Sequence, residues 1–285
     1  MSTADPAARP AHDRSPAMTA PTDSTVLRSA PEPRTAAAPS AATRTLRYAA
    51  HTTAMTVTNV AFMVFTIALP VGMYLLFSMM FGAEAEGQAR GMIMINMAAY
   101  GGLGTAITAG TQIQEDQRNG FLRQLIVSGL SPRSFLLGSV LAASVVIVPA
   151  LMIVGLVGLA TGVQADAGSF MATMGVLWLG LLPTILIGIA LGMLLKGGAA
   201  SAGGVVVLMA LAIFGGLWMP LEMFPEWMQS TGRLLPSYWI AQLGEWTLIG
   251  GDLPVTGLLV IGTWTLVLGV LCAVSLSKAI GLTRR

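Results

Sequence analysis

The chain has 285 residues, 54% hydrophobic and only 10% charged, with mean hydropathy +0.74 and formal net charge +2; soluble domains carry about 25% charged residues, so an ordinary soluble domain is excluded and an integral membrane protein is indicated. The single cysteine, Cys272, excludes an intramolecular disulfide and a thiolate metal site. A sequence pI near 9.0 reflects where the basic residues sit relative to a membrane and is no nucleic-acid signature.

Residues 1–43 are rich in Ala, Pro, Ser and Thr, hold seven of the fifteen prolines and show neither helical nor strand periodicity. Such a segment buries too little apolar surface to offset its ordering entropy, so a disordered cytoplasmic tail is expected. It also lacks the basic-then-apolar pattern of a secretory signal. From residue 44 a helical pattern places Arg44, Arg47 and His51 on one side and Leu46, Ala50 and Thr53 roughly on the other, which suits the membrane interface. His51 reads as a solvated or headgroup-facing residue rather than a ligand.

Six stretches then reach the roughly 20 apolar residues that a helix needs to cross a bilayer: about 60–81, 92–113, 135–160, 170–195, 201–219 and 255–277. The expected fold is an all-α integral membrane protein, a six-span domain over residues 44–285 behind the tail. Pro70, Pro149 and Pro183 fall inside spans one, three and four, where neighbouring helices can satisfy a freed carbonyl. In the second span Asn96, Tyr100, Gly104, Thr108 and Gln112 recur at four-residue spacing as a drifting polar and small stripe. Interhelical hydrogen bonding and close packing account for it, and so does the lining of a substrate path. The pairs Gly158/Gly162 and Gly188/Gly192 have the small-xxx-small spacing, but with 33 glycines such pairs arise by chance and identify no interface. After the fifth span, Pro220, Pro225 and Pro236 break the chain into helices too short to span, and Trp218, Trp227, Tyr238, Trp239 and Trp246 suit an interfacial belt. A helical hairpin dipping into the outer leaflet is one account and a plain aromatic belt the other.

With both termini inside, thirteen of the fifteen Lys and Arg residues fall on inner segments, and only Arg90 and Arg233 lie outside. The outer segments instead carry Glu84, Glu86, Asp166, Glu222, Glu226, Glu245 and Asp252. The positive-inside rule therefore predicts a multi-pass plasma-membrane protein with both termini cytoplasmic. Away from their ends the six spans hold no Asp, Glu, Lys, Arg or His, which disfavours a proton-coupled antiporter and an intramembrane hydrolase. Neither Lys196 nor Lys278 is followed by Ser or Thr, so there is no phosphate-binding P-loop. Any driving energy comes from another chain or a gradient.

The polar interruption at residues 114–134, QEDQRNGFLRQLIVSGLSPRS, lies between spans two and three. Its first part reads as a short amphipathic helix with Phe121, Leu122, Leu125 and Ile126 on one face. Gly129 is placed to end that helix, and Ser131 caps a new one with Pro132 at its first position and Leu130 stapled on Phe135. This segment resembles the charged E-R-G-T-L-x-x-L-x-x-[ST]-P-L-S segment of type 2 ABC-transporter permeases, in the drug-exporter branch that includes daunorubicin-type permeases. Glu115 and Arg118 match its acidic and basic positions, Gly120 its glycine, Leu122, Leu125 and Ile126 its apolar face, and Leu130 with Ser131 its exit. Gly129 stands where the family often has Pro, and Phe121 where a polar residue is common. The likeness covers roughly residues 43–285, including the 220, 225 and 236 prolines.

The resemblance implies an exporter's membrane subunit, itself non-catalytic, working as a dimer with two copies of a separate ABC ATPase that binds ATP and Mg. Glu115, Arg118, Gly120, Phe121, Leu122, Leu125 and Ile126 would couple to that ATPase. The family's path between spans two and five would make Asn96, Tyr100, Thr108 and Gln112 its lining, and Pro220, Pro225 and Trp227 an outer gate. An amphiphilic, drug-like or lipid-like cargo fits such a lining, and no nucleic-acid partner is implied. The reading from another class is a non-transporting scaffold or immunity-type protein that holds a cytoplasmic partner through residues 114–134.

Overall fold

The computed structural model describes residues 40–81, 88–118 and 131–283, and all regular structure among them is helical. Helix α1 is Ala41–Thr58, α2 Val60–Phe81, α3 Gln88–Arg118 and α4 Pro132–Ala160; α5 is Ala167–Gly180, α6 Leu182–Leu194 and α7 Gly198–Phe214. The short α8 (Glu226–Gly232) and α9 (Pro236–Ile249) precede the final α10 (Val255–Thr283). The tail expected to be disordered lies outside the described residues.

Among the described residues five helical stretches are long and apolar enough to cross a membrane: Phe62–Phe81, Gln88–Gln112, Ser134–Ala160, Ala167–Leu194 and Val255–Leu276. The stretch expected as the fifth of six spans forms α7, whose 17 residues reach about 25 Å at 1.5 Å per residue, short of a bilayer core of roughly 30 Å. The fourth is two helices that meet at Leu181. Pro183, in the first turn of α6, has no N–H to offer the preceding helix. Pro70 leaves α2 continuous, and its ring lies against Gly101 of α3.

Helix α3 is the hub, touching α2, α4, α5, α6, α7 and α9. Its side chains Met94, Ile95, Met97, Ala98, Leu103, Ala106 and Ile107 are almost wholly enclosed. Lipid tails are as apolar as Leu, so close packing and hydrogen bonds, not burial from water, hold such a bundle together. The tightest crossing is α3 on α6, where a Cβ built on Gly188 would lie 2.5 Å from the Ile107 carbonyl oxygen and one on Gly192 2.9 Å from that of Gly110. The pair Gly188/Gly192 therefore does mark an interface, contrary to the reading from spacing alone. Gly162 plays a different part. At φ +103° it ends α4, with Val163 N–H donating to Gly158 O and Gly162 N–H to Leu159 O, the left-handed helix stop that glycine tolerates best.

Helix α1 is capped by Ser40, whose hydroxyl accepts from Thr43 N–H. Its buried side is Thr45, Tyr48, Ala49 and Thr56, with Tyr48 lying 5.3 Å from the Phe135 ring and its hydroxyl 3.4 Å from Ser139 on α4. The packing surface is set by Tyr48 against Gly138, which leaves Leu46 61% exposed and outside the packed face. Ser131 caps α4 as expected, accepting from Ser134 N–H with Pro132 in the first turn. The last helices close the bundle: Thr247 on α9 hydrogen-bonds Thr173 on α5 at 3.0 Å, and the Cys272 thiol on α10 donates to Leu186 O on α6.

Candidate functional site

The chain stops α7 and folds back at residues 215–236, and the turn chemistry explains how. Gly216, at φ +73°, ends the helix, with Leu217 N–H donating to Ala212 O and Gly216 N–H to Ile213 O. Pro220 then opens a 3-10 turn, Leu221–Met223, and Pro225 opens α8. Gln229 Nε2 ties the two together by donating to Phe224 O at 2.9 Å. Ser237, in the first turn of α9, is fully buried and donates to Leu211 O on α7 at 2.7 Å. Ser237→Ala is expected to lower stability by about 1 kcal/mol, measured as a fall in the melting midpoint of the purified protein.

The aromatic residues do more than populate a belt. Trp239 Nε1 donates to Arg233 O, Trp246 Nε1 to Gly251 O and Trp264 Nε1 to Leu234 O. Each closes a loop carbonyl: Trp239 and Trp264 stitch the hairpin to α9 and α10, and Trp246 ties α9 to the loop that follows it.

Beneath the hairpin lies a cavity of about 490 Å³, within the range of small-molecule sites. Phe77 and Phe81 of α2, Met92, Ile93 and Met97 of α3 and Leu221 of the turn make it mainly apolar. Its polar groups are Asn96, Trp218, Glu222, Tyr238, Gln242 and Glu245. Two of them are cut off from solvent without a hydrogen-bond partner among the described residues: Asn96 Oδ1 and Trp218 Nε1. An orphaned buried polar atom costs about 1–3 kcal/mol, so both atoms favour a ligand that offers them hydrogen bonds. Glu245 Oε2 accepts from Gln242 Nε2 at 3.1 Å. Loss of hydration, with Glu222 nearby as the second cause, pushes the Glu245 carboxyl up to about 7.

The polar stripe of α3 separates. Asn96 lines the pocket, and Tyr100 lies just below it, 3% exposed and edge-on to Trp218 with ring centres 5.6 Å apart. Thr108 is exposed, while Gln112 accepts from the Thr56 hydroxyl on α1 at 3.3 Å. At 100° per residue a four-residue repeat rotates about 40° per step, which is enough to send its two ends to different neighbours. Pro220 is on the pocket wall; Pro225 starts α8; Trp227 is 64% exposed, its ring 6.3 Å from that of Phe214. Glu115 and Arg118 fall in the last turns of α3, so the connector begins as a continuation of that helix. Gly120, Phe121, Leu122, Leu125 and Ile126 lie outside the described residues. Sequence reading placed Glu222 and Glu245 among the outer charges and Trp218 in a belt; the i, i+3 pair Gln242/Glu245 inside an aromatic-rich stretch was the available hint that they share a site.

The family model described as ABC-2 type transporter matches residues 49–248, from within α1 to the last turn of α9. The chain belongs to the ABC-2 type transporter family. The match takes in the hub helix, the connector, the hairpin and the pocket. A relative within the same function class is YvfS of Bacillus subtilis (strain 168), a transport permease by name, 27% identical over 201 residues that cover 69% of this chain and 81% of that protein. The ABC-2 family reading makes this chain a multi-pass membrane transport permease rather than a catalyst.

Proposed function

We propose that the chain is the membrane subunit of an ABC exporter in the drug-exporter branch, moving an amphiphilic cargo out of the cell at the expense of ATP hydrolysed with Mg on a separate ATPase. Two permeases pair and two ATPases dock on their connectors through Phe121, Leu122, Leu125 and Ile126, flanked by Glu115, Arg118 and Gly120. Both termini are cytoplasmic, and α7 with the turn after it serves as the fifth of six spans. The hairpin of Pro220, Pro225 and Trp227 then faces outward as a gate, and Asn96, Tyr100, Thr108 and Gln112 follow the cargo's path. What carries this reading is the family match over residues 49–248, which encloses the charged connector between α3 and the capped start of α4. The apolar pocket under the hairpin supports an amphiphilic cargo.

The test is whether an ABC ATPase co-purifies with the full chain and whether its turnover depends on it. A chain that purifies alone, with ATPase turnover unchanged by its deletion, returns the protein to a scaffold that holds a partner through residues 114–134. Within an intact complex, Asn96→Ala with Tyr100→Ala is expected to change cargo stimulation of ATPase by about tenfold without dissociating the subunits. Unchanged stimulation would reduce those two residues to packing.

A further inference from the structure

We propose that the pocket beneath the hairpin binds a cationic amphiphile, with Glu245 as its counter-ion and Asn96 and Trp218 as the groups that orient it. That this ligand is the transported cargo rests on the exporter reading; that the pocket binds it does not.

The apolar wall formed by Phe77, Phe81 and Met92 selects an amphiphile over a sugar or a free ion. Charge then sets the sign. Glu222 and Glu245 both line the cavity, and among the described residues no Lys, Arg or His does. Among the described residues the titratable groups around Glu245 are Glu222 on the 3-10 turn and Tyr238 on α9 itself, with the exposed Arg233 beyond Tyr238; α2 and α3 present apolar side chains and the Asn96 amide. A carboxylate surrounded by hydrocarbon lacks the solvation its charge needs, and a bound cation supplies it. Phe77, Phe81, Trp218 and Tyr238 also line the cavity, and aromatic rings attract the same sign of ligand through cation–π contacts. The unpartnered Asn96 Oδ1 accepts from a protonated amine or hydroxyl, and the unpartnered Trp218 Nε1 donates to an ether or carbonyl oxygen. The elevated Glu245 carboxyl agrees with this: above about pH 7 it is ionised and attracts a cation, below that it is neutral and does not.

The experiment uses the full chain in phosphatidylcholine nanodiscs, corrected against empty discs, and two probes of equal shape and opposite charge, tetraphenylphosphonium and tetraphenylborate. Tetraphenylphosphonium is expected to bind at least about tenfold more tightly, and to bind more tightly at pH 8 than at pH 6 although the probe itself does not titrate. Glu245→Gln should lose about tenfold in tetraphenylphosphonium affinity and its pH dependence, with the melting midpoint retained. Equal affinity for the two ions, or unchanged binding in Glu245→Gln, overturns the proposal. Should that variant fail to fold, Glu222→Gln on the exposed turn is expected to weaken the cation by about threefold, and no change there overturns the proposal as well. Proteoliposomes carrying the complete complex separate the two readings. Binding as described with no ATP-driven movement of any amphiphile defeats the exporter reading and leaves the pocket. ATP-driven export of amphiphiles that is indifferent to charge and to Glu245 leaves the exporter reading and overturns the pocket as the cargo's site.

Discussion

Replacing Leu122 and Leu125 with Asp is expected to abolish ATPase association and export together. The two leucines lie on the apolar face of the connector's helical pattern, with Phe121 and Ile126 beside them. Docking that face on a partner would bury it, and two carboxylates placed there would each lose hydration with no cation to replace it, several kcal/mol apiece. Since about 1.4 kcal/mol is tenfold in affinity, association should fall by more than a hundredfold. The connector's flanks explain why such a loss would also end transport: α3 runs unbroken to Arg118, and α4 restarts at Pro132 behind the Ser131 cap. A force on residues 119–130 thus meets rigid helix on either side. The measurement is co-purification of the ATPase on size exclusion, with export assayed in vesicles. Substituting Glu115 by Gln, which removes one charge without placing a new one in the apolar face, should cost no more than about 1 kcal/mol. Association and export that both survive the double Asp variant would end the coupling model.

Gly188→Ala is expected to destabilise the bundle by about 1–3 kcal/mol, a fall of several degrees in melting midpoint. A Cβ there would lie 2.5 Å from Ile107 O, 2.9 Å from Ile107 Cα and 3.0 Å from Ala106 O. All three are backbone atoms of α3, so no side-chain rotation makes room and the two helices must separate. The reciprocal substitution Gly110→Ala meets Gly188 and Ile189 backbone at 2.5 Å and should behave alike. Gly175→Ala is the control. Its Cβ meets nothing within 4 Å, and alanine is the better helix former, so its midpoint should hold or rise. Equal midpoints for Gly188→Ala and Gly175→Ala would show that the α3–α6 crossing is not the constraint described. The crossing also bears on transport, because it lies one to three turns above the connector. A tilt of α3 would carry α6 with it, in addition to α4.

The resemblance carried by the connector and the proline-broken hairpin named the family from residues alone, and the match over residues 49–248 agrees with it. Local patterns were legible because their physics is local. Hydropathy marked the long helices, since a bilayer demands a continuous apolar run. Ser131-Pro132 and the hairpin prolines announced helix starts, since capping and φ restriction act within a few residues. Two signals were ambiguous for the same reason: Gly158/Gly162 and Gly188/Gly192 have one spacing, yet Gly162 is a left-handed helix stop, Gly158 makes room for the Met94 side chain, and Gly188 and Gly192 lie where two helix backbones cross. Spacing cannot distinguish a glycine needed for its backbone from one needed for its missing side chain.

By itself, then, the sequence determined an all-helical membrane permease, its polar connector and its proline-broken aromatic stretch, because each depends on neighbours along the chain. Only the tertiary structure decided that Asn96, Trp218, Glu222 and Glu245, drawn from α3, the turn and α9, share one cavity, and that Thr108 and Gln112 of the same stripe do not. Those associations depend on how α3 is rotated against its six neighbours, α2, α4, α5, α6, α7 and α9. That rotation is set by packing at Gly101, which seats the Pro70 ring, and at Gly110 and Gly188, where helix backbones approach one another, and it leaves no periodic mark in the residues that meet at the pocket.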